Sequence, residues 1–104
     1  MAVKPDRTMD IAKEIMHQIK SLDCWYLPAV GAEKFYAIGE DDKYMGGLGF
    51  QVEGFNHHGW VLVKLTWMDE YEISFVNRDR KVVKVVGGVH FPELIEVLDW
   101  AEQE

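Results

Sequence analysis

The sequence predicts an α+β domain, a two-layer sandwich in which an antiparallel sheet of five or six strands is covered by an N-terminal and a C-terminal helix. Apolar residues recur at helical spacing near both ends of the chain, and between these regions they alternate with polar residues. The connections between the alternating segments are short, which favours antiparallel neighbours. Two amphipathic helices then need one apolar sheet face to cover, and the other face is expected to be wet.

An amphipathic helix is predicted from Thr8 to about Ser21. Thr8 or Asp6 can accept a hydrogen bond from the free amides of its first turn. Residues 1–7 are expected to form a flexible tail, so that the single domain spans residues 8–104. The apolar residues of this helix recur mostly at steps of three and four and share one face. They are Met9, Ala12, Ile15, Met16, Ile19 and Leu22.

The pattern changes to a period of two after Asp23. The first alternating segment contains Pro28, which cannot donate a backbone hydrogen bond, so this strand is predicted to lie at an edge or to bend. Gly46, Gly47 and Gly49 predict a β-bulge or a close approach of two backbones. The predicted strands are residues 24–30, 34–38, 48–52, 61–67, 71–75 and 81–86, and a loop at residues 53–59 carries His57 and His58.

A second helix is predicted to begin at Pro92, which has no amide hydrogen to leave unpaired at a first helical position. Gly87 and Gly88 are expected to end the preceding strand and to let the chain cross the sheet. The inner stripe of the helix is expected to comprise Phe91, Leu94, Ile95, Leu98 and Ala101. Trp67, Tyr71 and Phe91 are expected in the core, and Gln51, Lys64, Thr66, Glu72, Ser74 and Lys84 on the wet sheet face.

The composition excludes several classes of protein. In 104 residues, 18 acidic side chains outnumber 11 basic ones, and the formal net charge is -7. Nucleic-acid binders and proteins that dock on anionic lipid use the opposite sign of charge. No apolar run approaches the roughly 20 residues of a membrane-spanning helix, and the first residues lack the apolar stretch of a secretion signal. No direct contact with nucleic acid or membrane is expected, and a cytoplasmic location is predicted.

The residues capable of chemistry do not form a recognisable catalytic or metal-binding pattern. Cys24 is the only cysteine, which excludes an internal disulfide and favours a reducing compartment; it is expected to be small and buried. The four histidines lack the spacing of a metal site. His57 and His58 are predicted to be an exposed loop pair whose rings point apart. No catalytic residue, metal or cofactor is therefore predicted.

Acidic and aromatic side chains are the candidate partner-binding residues. Five acids and no base occupy the last twelve positions, and four of these acids recur at every third residue as a stripe. Like charges at that spacing cost a few tenths of a kcal/mol per pair, so the stripe serves either solubility or a partner. Trp60 and Trp100 are either exposed interface anchors or edges of the core. The stripe and its fifth acid are Glu93, Glu96, Asp99, Glu102 and Glu104, and Glu40, Asp41 and Asp42 add a second acidic group.

The central hairpin resembles a known sequence pattern. Residues 66–75 read T-W-M-D-E-Y-E-I-S-F and fit T-x-M-D-x-Y-x-[IV]-x-F, and residues 31–35 fit G-A-x-x-F. These segments resemble small, mostly uncharacterised proteins encoded by bacteriophages and prophages. The likeness spans roughly residues 8–98 in element order, although His57 and His58 have no counterpart and the C-terminal end is more acidic. The resemblance implies an accessory protein of a mobile element, a class that often inhibits host defence, and it supplies no catalytic residue.

Together these observations predict a noncatalytic acidic interaction protein of phage or mobile-element origin. It would act in the host cytoplasm, as anti-CRISPR proteins do, by presenting acidic and aromatic groups to a basic surface of a nucleic-acid-handling defence complex. Two alternatives stay open. One is a small hydrolase or ligand-binding enzyme that uses the loop with His57 and His58. The other is a homodimeric structural module that associates through the open sheet face or through Trp100.

Overall fold

The computed structural model describes residues 8–54 and 57–101, which form a five-stranded antiparallel sheet with helices on one face. This arrangement confirms the predicted α+β class, with five strands in the described part of the chain. The predicted tail at residues 1–7, with the proposed cap Asp6, lies outside the described residues. The acids Glu102 and Glu104 also lie outside them.

Each strand pairs with the next strand along the chain, so the sheet is a simple meander. No helix in the described ranges is long and apolar enough to cross a membrane. The elements are α1 (Thr8–Leu22), the single turn α2 (Tyr26–Ala29), β1 (Glu33–Ile38), β2 (Tyr44–Glu53), β3 (His58–Thr66), β4 (Tyr71–Asn77), β5 (Val82–Val89) and α3 (Leu94–Leu98), which the 3₁₀ turns Phe91–Glu93 and Asp99–Ala101 flank.

The core lies between α1, α3 and one face of the sheet. Ile15 and Ile19 stand one helical turn apart on α1 and are fully buried, as the amphipathic pattern predicts. Burial alternates along β3, where Val61 and Val63 are buried and the residues between them are partly exposed. Tyr71 is also buried, as predicted, and its hydroxyl donates a hydrogen bond to the side chain of Gln18. The inward residues of helices and strands therefore form one hydrophobic cluster.

The first predicted strand, residues 24–30, is wrong: the chain makes a turn and then the short helix α2. The Asp23 side chain accepts a hydrogen bond from the amide of Trp25 at 3.0 Å, which begins the turn. Pro28 lies in the first turn of α2, where its missing amide hydrogen costs nothing. Cys24 is exposed rather than buried because it lies in this turn.

All five described strands extend beyond a predicted limit: β3 begins at His58, within the predicted loop, β1 and β4 gain one or two residues, and β2 and β5 change most. Strand β2 begins at Tyr44 and includes the three glycines, and the predicted bulge is confirmed by a register shift between Tyr44 and Gly46. Strand β5 continues through Gly87 and Gly88 instead of ending there. Gly88 adopts a φ of 65°, and the pairing with β4 shifts register between Tyr71 and Ile73. The glycine pair therefore accommodates an irregular pairing within the strand.

Three side chains lie elsewhere than predicted. Trp67 and Phe91 are exposed rather than in the core. Trp67 follows the last residue of β3, and Phe91 begins a 3₁₀ turn that delays the helix expected from Pro92 until Leu94. Lys84 pairs opposite Phe75, on the face that the helices cover, and its ammonium lies 5.2 Å from the centre of the Trp100 ring. Simple alternation predicts Lys84 on the wet face, but the register shifts of β5 turn it to the face that the helices cover.

Gly59 provides a test of the packing between β3 and β4. Its φ is 147°, and an added Cβ would overlap the carbonyl oxygen of Val76. We expect Gly59→Ala to lower the free energy of unfolding by about 2 kcal/mol. At Gly87, an added Cβ meets nothing within 4 Å, so Gly87→Ala should change stability by less than about 0.5 kcal/mol. Urea denaturation of both variants checks this difference, and equal losses would contradict it.

Candidate functional site

Two turns meet at one end of the sheet. Residues 39–43 join β1 to β2, and residues 67–70 join β3 to β4. Because Tyr44 of β2 pairs with Thr66 of β3, the two turns lie side by side. We call this surface the hairpin end and define it by Glu40, Asp41, Asp42, Trp67, Met68, Asp69 and Glu70.

Asp41 organises the first turn. Its carboxylate accepts hydrogen bonds from the backbone amides of Lys43 and Tyr44, both at 2.8 Å. These bonds favour the charged form and hold the pKa of Asp41 below its ordinary value, and the charges of Lys64 and Lys43 add to the effect. The Asp41 amide in turn donates to the carbonyl oxygen of Tyr44 at 2.9 Å. These hydrogen bonds therefore hold the backbone of the turn, which carries Glu40, Asp41 and Asp42, in one conformation.

Trp67 is an exposed aromatic side chain that the first turn holds in place. Its indole Nε1 donates a hydrogen bond to the carbonyl oxygen of Asp41 at 2.9 Å. Trp67 is 52% exposed, and the adjacent Met68 is 79% exposed. An indole that is anchored at its nitrogen and open on its faces loses little conformational freedom when a partner covers it. The two turns thus form one preorganised surface.

The second turn is fixed by Thr66. Its hydroxyl oxygen accepts hydrogen bonds from the amides of Met68 at 3.3 Å and Glu70 at 3.2 Å. The Thr66 amide donates to the Glu70 carbonyl at 2.8 Å, and Asp69 takes a φ of 63°. The turn begins at Trp67 and not after it, which is why the aromatic ring leaves the core. Thr66, whose hydroxyl closes the turn, is the residue whose type could have indicated this earlier strand end.

The hairpin end is strongly acidic. Glu40, Asp41 and Asp42 lie on one turn, and Asp69 and Glu70 on the other. Lys43 is the one cation in these two turns, and its ammonium lies 3.6 Å from the Glu72 carboxylate. A cavity of about 520 Å³ lies beside Trp67 and Met68 and is also lined by Asp42, Glu70 and Glu72. An apolar surface rimmed by carboxylates suits a basic ligand surface.

The C-terminal acids lie on the helical segment that follows β5. Glu93 and Glu96 are exposed, whereas Asp99 is partly buried. Burial raises the pKa of Asp99, and the charge of Asp23 adds to this. Asp99 is followed by Trp100, whose ring contacts the ring of His57. His57 directly precedes His58, which pairs with Glu53.

Glu93 follows Val89, which pairs with Tyr71 directly after the hairpin end, whereas Trp100, next to Asp99, packs on Phe75 further along β4. The stripe therefore runs from near the hairpin end to a level about 13 Å along the sheet.

The two tryptophans predicted as anchors are both partly buried. Trp100 packs on Phe75, with ring centres 4.7 Å apart, and against His57 at 5.7 Å. It therefore lies at the edge of the core. Trp60 lies on the sheet face opposite the helices, where its ring contacts the edge of the Tyr36 ring at 5.8 Å.

The predicted exposure of His57 is wrong. Its side chain is 4% exposed, its ring meets Phe75 edge to face at 5.5 Å, and its Nε2 lies 3.2 Å from the carbonyl oxygen of Trp60. His58 is exposed, so the adjacent rings do point apart. Neither side chain lines any of the four cavities described. Within residues 8–54 and 57–101, no three His, Cys, Asp or Glu side chains are arranged to hold a metal ion.

His57 predicts a pH dependence of stability. Burial lowers the pKa of His57, although its hydrogen bonds to the backbone at Trp60 and Val76 oppose the shift. The unfolded chain then takes up this proton at a higher pH than the folded chain does, so stability is full above the unfolded pKa of about 6.5 and falls as the pH drops. We expect the free energy of unfolding to decrease from pH 7 to pH 5, at most by about 1.4 kcal/mol per pH unit from this one proton.

Two variants isolate the effect of His57 in denaturant titrations across this pH range. His57→Gln should remove much of the pH dependence, whereas His58→Gln should leave it unchanged because His58 is exposed. An unaltered pH profile in His57→Gln would show that this ring does not titrate on unfolding.

Comparison with known proteins yields no match to this chain among family models, curated proteins or solved structures.

Proposed function

We propose that this chain is a noncatalytic binding protein whose hairpin end docks on a basic surface of a partner protein. The observation that carries the proposal is the hydrogen bond from the Trp67 indole to the Asp41 carbonyl, which fixes an exposed tryptophan among carboxylates. Tryptophan is enriched among the residues that dominate binding energy at interfaces. The surrounding acids would attract the basic surface and set the orientation in which it binds.

The chemistry of the hairpin end favours a particular kind of basic surface. Carboxylates can occupy the places where a nucleic-acid-binding protein normally holds phosphates, since both are anionic hydrogen-bond acceptors. The chain itself has a net charge of -7 and would be repelled by nucleic acid. We therefore propose a protein partner that handles nucleic acid, whose basic groove the hairpin end would block.

The resemblance to phage and prophage proteins supports the same proposal from the sequence. The hairpin that carries it includes Trp67, Met68 and Asp69, three residues of the hairpin end. On this basis, the partner is a host defence complex in the cytoplasm of a bacterium, and the chain acts as an inhibitor in the manner of anti-CRISPR proteins. Its activity would be to occupy a surface and not to transform a substrate.

The C-terminal acids have a secondary role in this proposal. Glu93 and Glu96 add negative charge that speeds encounter with a basic partner. Trp100 packs against Phe75 and His57, and Asp99 is partly buried, so this end offers less apolar surface for docking. Contact is therefore assigned to the hairpin end.

A charge-matched pair of variants tests the proposal. Asp42→Lys and Glu96→Lys each change the net charge by the same amount at exposed positions, but only Asp42 lies at the hairpin end. Tagged wild-type chain is used to capture proteins from a bacterial lysate at low salt. The protein retained is identified by mass spectrometry, and its affinity for each variant is measured by calorimetry. We expect Asp42→Lys to weaken binding about tenfold or more and Glu96→Lys to weaken it much less.

Trp67→Ala and salt provide two further outcomes. The tryptophan variant should lose about 2 kcal/mol of binding free energy, with its circular dichroism spectrum unchanged because the ring is half exposed. Binding should fall steeply towards about 1 M salt, where the Debye length is about 3 Å. Equal losses in Asp42→Lys and Glu96→Lys, or binding that is insensitive to salt, would contradict docking at the hairpin end.

A further inference from the structure

The sheet face opposite the helices, which the sequence predicts to be wet, also carries large apolar side chains. We call it the open face. Gln51, Lys64, Thr66, Glu72 and Ser74 point to this side, as predicted, since they alternate with the buried core residues. Apolar and aromatic residues of β1, β3, β4 and β5 also lie on this side, among them Tyr36, Trp60, Leu62, Val76 and Val85.

These apolar residues form two adjacent rows across the sheet. In one row, Trp60 lies between Gln51 and Val76. In the other, Leu62 pairs with Gly49 and Ser74. Between the rows lies an open groove of about 320 Å³, which is lined by Tyr36, Trp60, Leu62, Val76 and Arg80.

Gly49 lets an aromatic side chain lie flat on this face. A Cβ at Gly49 would overlap the ring of Tyr36, which therefore crosses the strand where the glycine leaves space. The Tyr36 ring then meets the Trp60 ring edge to face at 5.8 Å. The pair extends the apolar surface from the edge strand β1 to the central strand β3. At the opposite edge, Val85 is 51% exposed.

We propose that the open face joins two copies of this chain in a face-to-face homodimer. An antiparallel sheet with apolar side chains on both faces gains stability when both faces are covered, and two such sheets pack about 10 Å apart. In residues 8–54 and 57–101, the helices contribute their buried side chains to the core on the other face only. A second copy supplies a second sheet with the same two apolar rows.

The area of the open face suits a weak dimer. Five strands spaced by about 4.8 Å and averaging about eight residues give a face of about 600 Å². Specific interfaces bury about 600 to 1,000 Å² per partner, so this face lies at the lower limit. Interfaces at this limit are typical of weak or transient complexes, so we expect the dimer to dissociate on dilution.

The charge distribution favours a second copy on this face. A net charge of -7 makes two copies repel each other over most approaches. On the open face, however, Lys43 pairs with Glu72 at 3.6 Å and Lys64 lies 4.8 Å from the centre of the Tyr44 ring. Arg80, which is a cation, lines the groove between the two apolar rows. Repulsion between copies is therefore smallest where these faces meet.

Sedimentation velocity over a concentration series tests the homodimer. The wild-type chain should shift from the 12.0 kDa monomer to twice that mass as concentration rises. Leu62→Lys puts a charge in the centre of the open face and should weaken association about tenfold or more. Met68→Lys makes the same change of charge at the hairpin end, where the side chain is 79% exposed, and should leave association unchanged.

A second variant covers the case in which Leu62→Lys fails to fold. Val85→Lys changes a side chain that is half exposed at the sheet edge, and it should also favour the monomer. A wild-type chain that stays monomeric up to about 1 mM, or equal dissociation by Met68→Lys, would overturn the proposal. The outcome is independent of docking at the hairpin end, because Asp42 and Trp67 lie outside the two apolar rows.

Discussion

The alternation of side chains along β3 (His58–Thr66) is the constraint on which the rest of the molecule depends. Val61, Val63 and Leu65 point to the helices and are buried. Trp60 and Leu62 point the other way and form the centre of the open face. Because the strand ends at Thr66, Trp67 lies outside the ladder and at the hairpin end. One strand thus assigns residues to the core, the open face and the candidate binding surface.

The hairpin end owes its character to hydrogen bonds and not to burial. The carboxylate of Asp41 accepts from two backbone amides, its carbonyl accepts from the Trp67 indole, and the hydroxyl of Thr66 closes the other turn. These bonds hold charged and aromatic groups in water-exposed positions, where hydrophobic packing cannot hold them. A surface that is ordered before it binds pays less entropy on association than a flexible loop does.

The sequence predicts the layers better than the ends of elements. Alternation through Val61 and Ile73 correctly places the two central strands, and the helical spacing of Ile15 and Ile19 correctly places α1. Trp67 was misplaced because a boundary shifted by one residue moves a side chain from the core to the solvent. His57 was misplaced because its burial depends on Phe75 and Trp100, which are distant in sequence. The sequence alone gives no reason to prefer Glu40, Asp41 and Asp42 over the C-terminal stripe. Only the structure shows that this first group lies beside Trp67.

The most direct test of the central claim is a proton–nitrogen NMR titration of the labelled chain with its captured partner. We expect the Trp67 indole signal and the amide signals of Asp42 and Asp69 to shift or broaden first. The amide signals of Glu96 and Asp99, further along the C-terminal stripe, should change little. Perturbation centred on Glu96 and Asp99, with the Trp67 indole signal unmoved, would contradict binding through the hairpin end.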